Sequence, residues 1–157
     1  MKVELWFLGS TRPNYIQEGV QIYEKRIKHY LSLDLIILHH SKKVKKRCEQ
    51  EIKTKEAEMV LRKLQEDDWL ILLDERGKQF SSIDFATYME QLLQCSSKRL
   101  IFLIGGVCGF SQAIHQRANA KLTLSKMTFS HQMVRLFLIE QIYRAMAILN
   151  NLPYHRE

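Results

Sequence analysis

The sequence predicts an α/β protein of one domain spanning 1–157, its mainly parallel sheet flanked by helices. Three observations lead there. Short apolar stretches alternate with amphipathic ones, and those apolar stretches run on without the in-out alternation of a half-exposed strand. A chain of 157 residues also suffices for a single core. Lys2 to Leu8, KVELWFL, reads as the first strand, and Gly9 to Pro13 as a loop. Asn14 with Gln17 three residues on has the form of an N-cap, and Ile16, Val20, Tyr23, Ile27 and Tyr30 recur behind it at helical spacing. Leu33 to Leu38 is a second strand. Ala57, Val60, Leu61 and Leu64 form the apolar face of a second helix, and Trp69 to Leu73 a third strand. Ser81 with Asp84 caps a helix reaching about Leu93, Leu100 to Ile104 is a fourth strand, and Ser111 to Gln116 a short helix. Leu122 to Leu124 falls in a short strand, and Ser130 or Thr128 opens a last helix to about Leu149. That helix is apolar nearly all round, which predicts one side against the sheet and another against a second copy of the chain.

Composition narrows the class. With 46% hydrophobic and 26% charged residues the chain is neither disordered nor fibrous. Cys48, Cys95 and Cys108 are odd in number and in no C-x-x-C pair, which argues against a disulfide framework or a zinc knuckle and for a reducing cytoplasm. The opening MKVELWFLGS is too short for a signal peptide or a membrane span. His39 and His40 near Cys48 have no metal-ligand spacing, so no metal is expected. The formal charge is +7, and it is unevenly placed. From Gln91 through Ile139 no acidic residue occurs, while Lys98, Arg99, Arg117, Lys121, Lys126 and Arg135 do. Such a half is an electrostatic footprint for a polyanion.

Within it lies LIFLIGGVCGFSQAI, a strand feeding a glycine cluster and then a helix. A Walker A loop would need a lysine and a hydroxyl after the last glycine, and Gly109 is followed by Phe110 and Ser111. A dinucleotide loop would follow the first strand and be answered by an acid about 20 residues later, and neither holds. The second segment of interest, LTLSKMTFSHQMVR, places Arg135 in the first turn of a helix, where its charge opposes the dipole.

These segments carry a resemblance. Leu73 in LILLDERGK, the loop LIGGVCG, the segment LSKMTFSHQMVR, the continuation IEQIYRA and the terminal YHRE closely resemble the small SPOUT-class methyltransferases, specifically the ribosomal RNA large subunit methyltransferase H family, from Met1 to Glu157. The resemblance implies a C-terminal trefoil knot, a homodimer, S-adenosylmethionine as cofactor, and methylation at N3 of a pseudouridine in a 23S ribosomal RNA stem-loop, naked or within the ribosome. It implies a cofactor pocket lined by Leu73, Gly105, Gly106 and Gly109 and by Leu124, Ser125, Lys126, Met127, Thr128 and Phe129. His131, Arg135, Tyr154, His155 and Arg156 would lie toward the RNA. Cys108 and Ser130 depart from the usual family pattern, which often has an acid or amide at the first position and a proline at the second.

Methyl transfer from a sulfonium is an in-line displacement that needs positioning and a nucleophile without its proton. Main-chain groups of the two loops can take the adenine edge and ribose, with Leu73, Leu124 and Met127 on the flat faces. An imide nitrogen titrates well above neutrality, so cationic neighbours must favour its anion. Arg135 and Arg156 are the candidates for that field, and His131 or His155 for the base. Tyr154 is a candidate to stack on a nucleobase. Lys42, Lys43, Lys45 and Lys46, in the run KKVKKR, are candidates to grip phosphates. A non-enzymatic RNA-binding module would explain the charge but leave the glycine loop without a purpose.

Overall fold

The computed structural model describes residues 1–39 and 48–156. Their elements run β1 (Lys2–Leu8), α1 (Asn14–Ile27), β2 (Leu33–Leu38), α2 (Glu49–Lys63), β3 (Asp68–Gln79), α3 (Ser82–Leu93), β4 (Arg99–Ile104), α4 (Gln112–Arg117), β5 (Ala120–Thr123) and α5 (His131–Leu149). The five strands form one sheet in the order β2-β1-β4-β3-β5, every neighbouring pair parallel. Lys42, Lys43, Lys45 and Lys46 lie outside the described residues.

The unbroken apolar strands are explained by burial on both faces. Val3, Leu5, Phe7, Ile71, Leu100, Phe102 and Ile104 point into a core closed by α1, α3 and α5. The alternate residues Trp6, Leu8, Leu70, Leu72, Ile101 and Leu103 point into a second core with Ala57 and Val60 of α2 and Ile114 of α4. Ser81 caps α3 by accepting from the Asp84 N–H, and Ser130 caps α5 by accepting from the Met133 N–H.

Two expectations change. The N-cap of α1 is Pro13, with no side-chain cap, and Asn14 is already helical. Proline's fixed φ suits the boundary, and its missing N–H loses nothing there. The all-round apolar character of α5 is largely answered within the chain, because α1 and α3 flank it on the sheet. Leu138, Ile139, Ile142, Ala145 and Met146 are buried, while Phe137 stays 37% exposed.

The amino ends of the strands carry a closed ionic network. Arg99 Nε donates to Asp68 Oδ1 at 2.8 Å, Arg99 Nη1 to Glu4 Oε2 at 3.4 Å, and Trp6 Nε1 to the same Glu4 oxygen at 2.7 Å. Burial favours the neutral form of Asp68. The hydrogen bonds from Arg99 and the Gln65 N–H, with the charges of Arg99 and Arg117, outweigh it and hold the carboxyl below its usual range.

At the other end β3 overruns its partner. It pairs with β4 only from Asp68 to Leu73 and rejoins β5 at Lys78, with an irregularity between Leu73 and Lys78. Such a break bends a strand and re-aims its side chains. Gly77 lies against β5 so closely that a Cβ would sit 2.4 Å from the Leu122 carbonyl carbon, so only glycine fits.

Candidate active site

At the carboxyl ends of β3, β4 and β5 a cavity of about 500 Å3 opens. This is the end of a parallel sheet where ligands sit, and the size is ordinary for a ligand pocket. Leu73 closes its floor from β3. Gly105, Gly106 and Gly109 come from the loop after β4; Leu124, Ser125, Met127, Thr128 and Phe129 from the loop after β5; and His131 from the first turn of α5. Two segments separated by about twenty residues in sequence thus share one wall. Lys126, in the same loop, is exposed and stands outside the lining.

The glycines let the loop pack closely against its own protein. A Cβ on Gly105 would meet the Phe110 ring at 3.1 Å, and one on Gly106 would meet Glu56 Oε1 at 3.1 Å. Gly109 has φ +72°, a left-handed conformation that side chains disfavour. The opposite loop is internally tied: Thr123 Oγ1 donates to the Ser125 carbonyl at 2.8 Å and the Met127 N–H donates to Ser125 Oγ at 3.0 Å.

The pocket has carboxylates, although the window from Gln91 through Ile139 that supplies both its loops has none. The irregular part of β3 brings Asp74, Glu75 and Arg76 to its wall, and α2 brings Lys53. Asp74 Oδ1 accepts from the Arg76 N–H at 2.9 Å, and its Oδ2 lies 3.8 Å from His115 Nε2. Burial, seconded by Lys121, keeps His115 below the usual histidine range against the pull of Asp74. These residues escape a reading along the chain because the pocket gathers them in space. The segment LILLDERGK holds Asp74, Glu75 and Arg76 beside Leu73, while Lys53 and His115 come from elsewhere in the chain.

Arg135 is corrected more sharply. It does not face solvent or the pocket: its exposure is 0%. Its Nη1 donates to the Gly9 carbonyl at 3.0 Å and to Thr11 Oγ1 at 2.8 Å, its Nη2 donates to the Leu8 carbonyl at 3.0 Å, and the guanidinium lies 4.8 Å from the Phe7 ring centre. Burial lowers its pKa to about 10, which still leaves it charged near neutrality. Among the described residues no carboxylate pairs with it, and its Nε has no partner. The side chain therefore clamps the loop after β1 to the start of α5.

His131 lines the pocket, as His115 does. Burial lowers its pKa, and the charges of Arg135 and Arg12 lower it further. Gln132 Nε2 stands 3.3 Å from His131 Nε2, so the amide of its chain neighbour borders the imidazole ring.

The tail lies elsewhere. Tyr154 donates to Glu140 Oε1 at 3.0 Å and lies 3.1 Å from the Tyr23 hydroxyl; its ring packs edge-on against Tyr143 and under Arg144. Burial and the neighbouring Tyr23 and Glu140 push its pKa up, so it remains a phenol. His155 Nδ1 sits 3.3 Å from Arg144 Nη1, and Arg156 is exposed. Anchors at Glu140 to Arg144 are nine to thirteen residues along α5 from His131, roughly 14–20 Å at the helical rise. One chain therefore does not bring His155 and Arg156 to His131.

Among the described residues no group of three His, Cys, Asp or Glu could hold a metal, and no helix is long and apolar enough to cross a membrane. A family model described as "Predicted SPOUT methyltransferase" matches residues 1–155. A Parabacteroides distasonis protein named ribosomal RNA large subunit methyltransferase H is 48% identical over 157 residues, 100% of both chains. A Christiangramia forsetii protein of the same name is 46% identical over 155 residues, 99% of each. The solved structure of a probable methylase family protein from Haemophilus influenzae Rd KW20 shares the fold, with a TM-score of 0.53 and 14% identity over 95% of this chain and 66% of that one. With the family model matched almost end to end and such relatives along the full length, the chain belongs to the SPOUT methyltransferases, in the ribosomal RNA large subunit methyltransferase H family.

Proposed function

We propose that the protein transfers a methyl group from S-adenosylmethionine to N3 of a pseudouridine in a 23S ribosomal RNA stem-loop. The observation that carries this is the cavity in which Leu73, Gly105, Gly106 and the Leu124 to Phe129 loop meet beside His131. Its residues fit the donor. Leu73 and Leu124 offer apolar contact to the faces of a flat ring. Asp74 and Glu75 complement a sulfonium and an ammonium, and Arg76 and Lys53 a carboxylate. When bound, the donor supplies an electrophilic methyl carbon for in-line displacement.

The chain's own groups then have two tasks. His131, which lines the pocket and is kept neutral by its burial, accepts the N3 proton. The field that favours the resulting anion comes from the buried charge of Arg135 behind it and from the positive end of α5. Arg135 acts here through position and field, without contact.

The tail reaches such a site most simply from a second copy. A homodimer in which Tyr154, His155 and Arg156 of one subunit border the pocket of the other accounts for their distance from His131 within a chain. The exposed Tyr15 and Ile22 of α1, at 64% and 50%, and Phe137 of α5 offer apolar surface for it.

Calorimetry with S-adenosylmethionine and mass mapping of ribosomal RNA from a strain lacking the protein test the reaction; no donor binding, or an unaltered methylation map, refutes it. Mixing two inactive variants, one lacking 153–157 and one blocked by Gly106→Phe, tests the shared site. Restored methylation supports it, and continued inactivity with mixed dimers present refutes it.

A further inference from the structure

We propose that Arg12, on the loop after β1, is an additional RNA-binding residue that holds a backbone phosphate at the rim of the pocket. The inference rests on the RNA methyltransferase reading above and concerns a residue outside the cofactor wall.

The loop is held at every residue. Leu8 and Gly9 give their carbonyls, and Thr11 its hydroxyl oxygen, to Arg135. The Ser10 carbonyl accepts from Gln132 Nε2 at 3.1 Å, the Arg12 N–H donates to Gln132 Oε1 at 3.3 Å, and the Thr11 carbonyl accepts from Gln17 Nε2. Gly9, at φ +83°, makes the turn that lets the chain enter this clamp. All of these bonds restrain main chain or short side chains. The Arg12 side chain is exposed, and among the described residues it forms no ion pair. A rigid backbone that presents one unneutralised guanidinium loses little freedom when an anion arrives, and the planar fork suits a phosphate.

Its place gives the partner. Gln132, which holds the Arg12 amide, also touches His131, and His131 lines the pocket. Arg12 is therefore one side chain away from the reacting base but is not itself in the cavity lining. The depression of His131 by the Arg12 charge agrees with that proximity. Neither α1 nor α5 has an acid in its first turn, so nothing on those two helix starts opposes an incoming phosphate. A nucleotide flanking the one at the pocket supplies it.

The test compares wild type, Arg12→Ala and Arg12→Lys. Ribosomal RNA binding without donor is measured across salt, with methylation kinetics, donor calorimetry and sedimentation alongside. Loss of one phosphate contact should flatten the log-log salt slope of Arg12→Ala by about 0.9 and raise the RNA KM by roughly tenfold. Arg12→Lys should recover most of the slope, and kcat and donor affinity should stay within twofold. An unchanged slope overturns the proposal. So does weakened donor binding, which would assign Arg12 to the cofactor, or a dimer that dissociates, which would assign it to the subunit contact. The donor-free slope is read whether or not a methyl is transferred, so failure of the reaction and failure of the Arg12 assignment are distinguishable.

Discussion

Two arginines lie inside this protein at opposite ends of the same sheet, and they are treated in opposite ways. Arg99, at the amino ends, is met by Asp68 and Glu4, and the pairing raises its pKa. Arg135, at the carboxyl ends, is met by carbonyls and one hydroxyl, and burial alone lowers its pKa to about 10. The first end is electrically closed and serves stability. The second keeps a net positive charge behind the pocket, solvated by main-chain dipoles that leave its field intact. A buried cation without a counter-ion costs stability, and of the two arginines only Arg135 carries that cost, at the end where the cavity opens.

The largest effect should come from breaking the closed end. Arg99→Met strips the guanidinium from the buried Asp68 and Glu4 carboxylates, leaving Glu4 the Trp6 N–H and Lys2 at 3.7 Å and Asp68 the Gln65 N–H, and urea unfolding at pH 7 should show a loss of about 3 kcal/mol. Asp68 has a folded pKa below its unfolded one, so its contribution is present above about 3.8 and is lost as pH falls through the lower folded value. The deficit of the variant should therefore persist down to about pH 3.8 and shrink below it; a deficit that stays constant below that pH would contradict the ionic origin. Arg135→Met should cost less, about 2 kcal/mol, since the orphaned carbonyls are neutral. That loss should barely change between pH 4 and 5, while methylation falls at least tenfold at saturating donor.

A smaller effect sharpens the comparison at the pocket itself. His131 should titrate below 6.5 in the wild type, read from its ring proton resonances, because burial and the Arg135 and Arg12 charges disfavour imidazolium. Removing either charge should raise that value, and the acid limb of the methylation profile should move to higher pH with it. A neutral-preferring histidine contributes stability above its unfolded pKa and loses it as pH falls toward the folded value. The smallest effect is expected from Ser130→Pro. The cap to the Met133 N–H is lost, worth about 1 kcal/mol, but φ is −61° and proline stiffens the unfolded chain. Stability should move by under about 1 kcal/mol and donor affinity not at all; a lost donor site would show that the hydroxyl does more than cap.

Much of this was legible in the sequence, and the omissions have physical causes. Strands β1, β2 and β4 and helices α3 and α5 follow from apolar runs, helical spacing and serine caps, because local chemistry decides them. Gly105, Gly106 and the Leu124 to Phe129 segment could be paired through a family resemblance; no periodicity would have brought them together. The extension of β3 through Gln79 was missed because DERGKQ has no apolar pattern, and the close approach of Gly77 to β5 is what holds it in the sheet. The sequence places Arg135 toward the RNA by resemblance and by its cost against the helix dipole, and neither signal tells that its side chain is buried. Its burial depends on carbonyls of a loop more than 120 residues earlier, which spacing cannot reveal. Asp74 and Glu75 escaped notice because charge was counted along the chain while the cavity samples several strands.

The loop after β5 carries its own scaffold in the bonds among Thr123, Ser125 and Met127. A visitor finds that wall already shaped and need not organise it on arrival. The heat-capacity change on association should then match the apolar area covered and nothing more, with no added contribution from ordering of the chain.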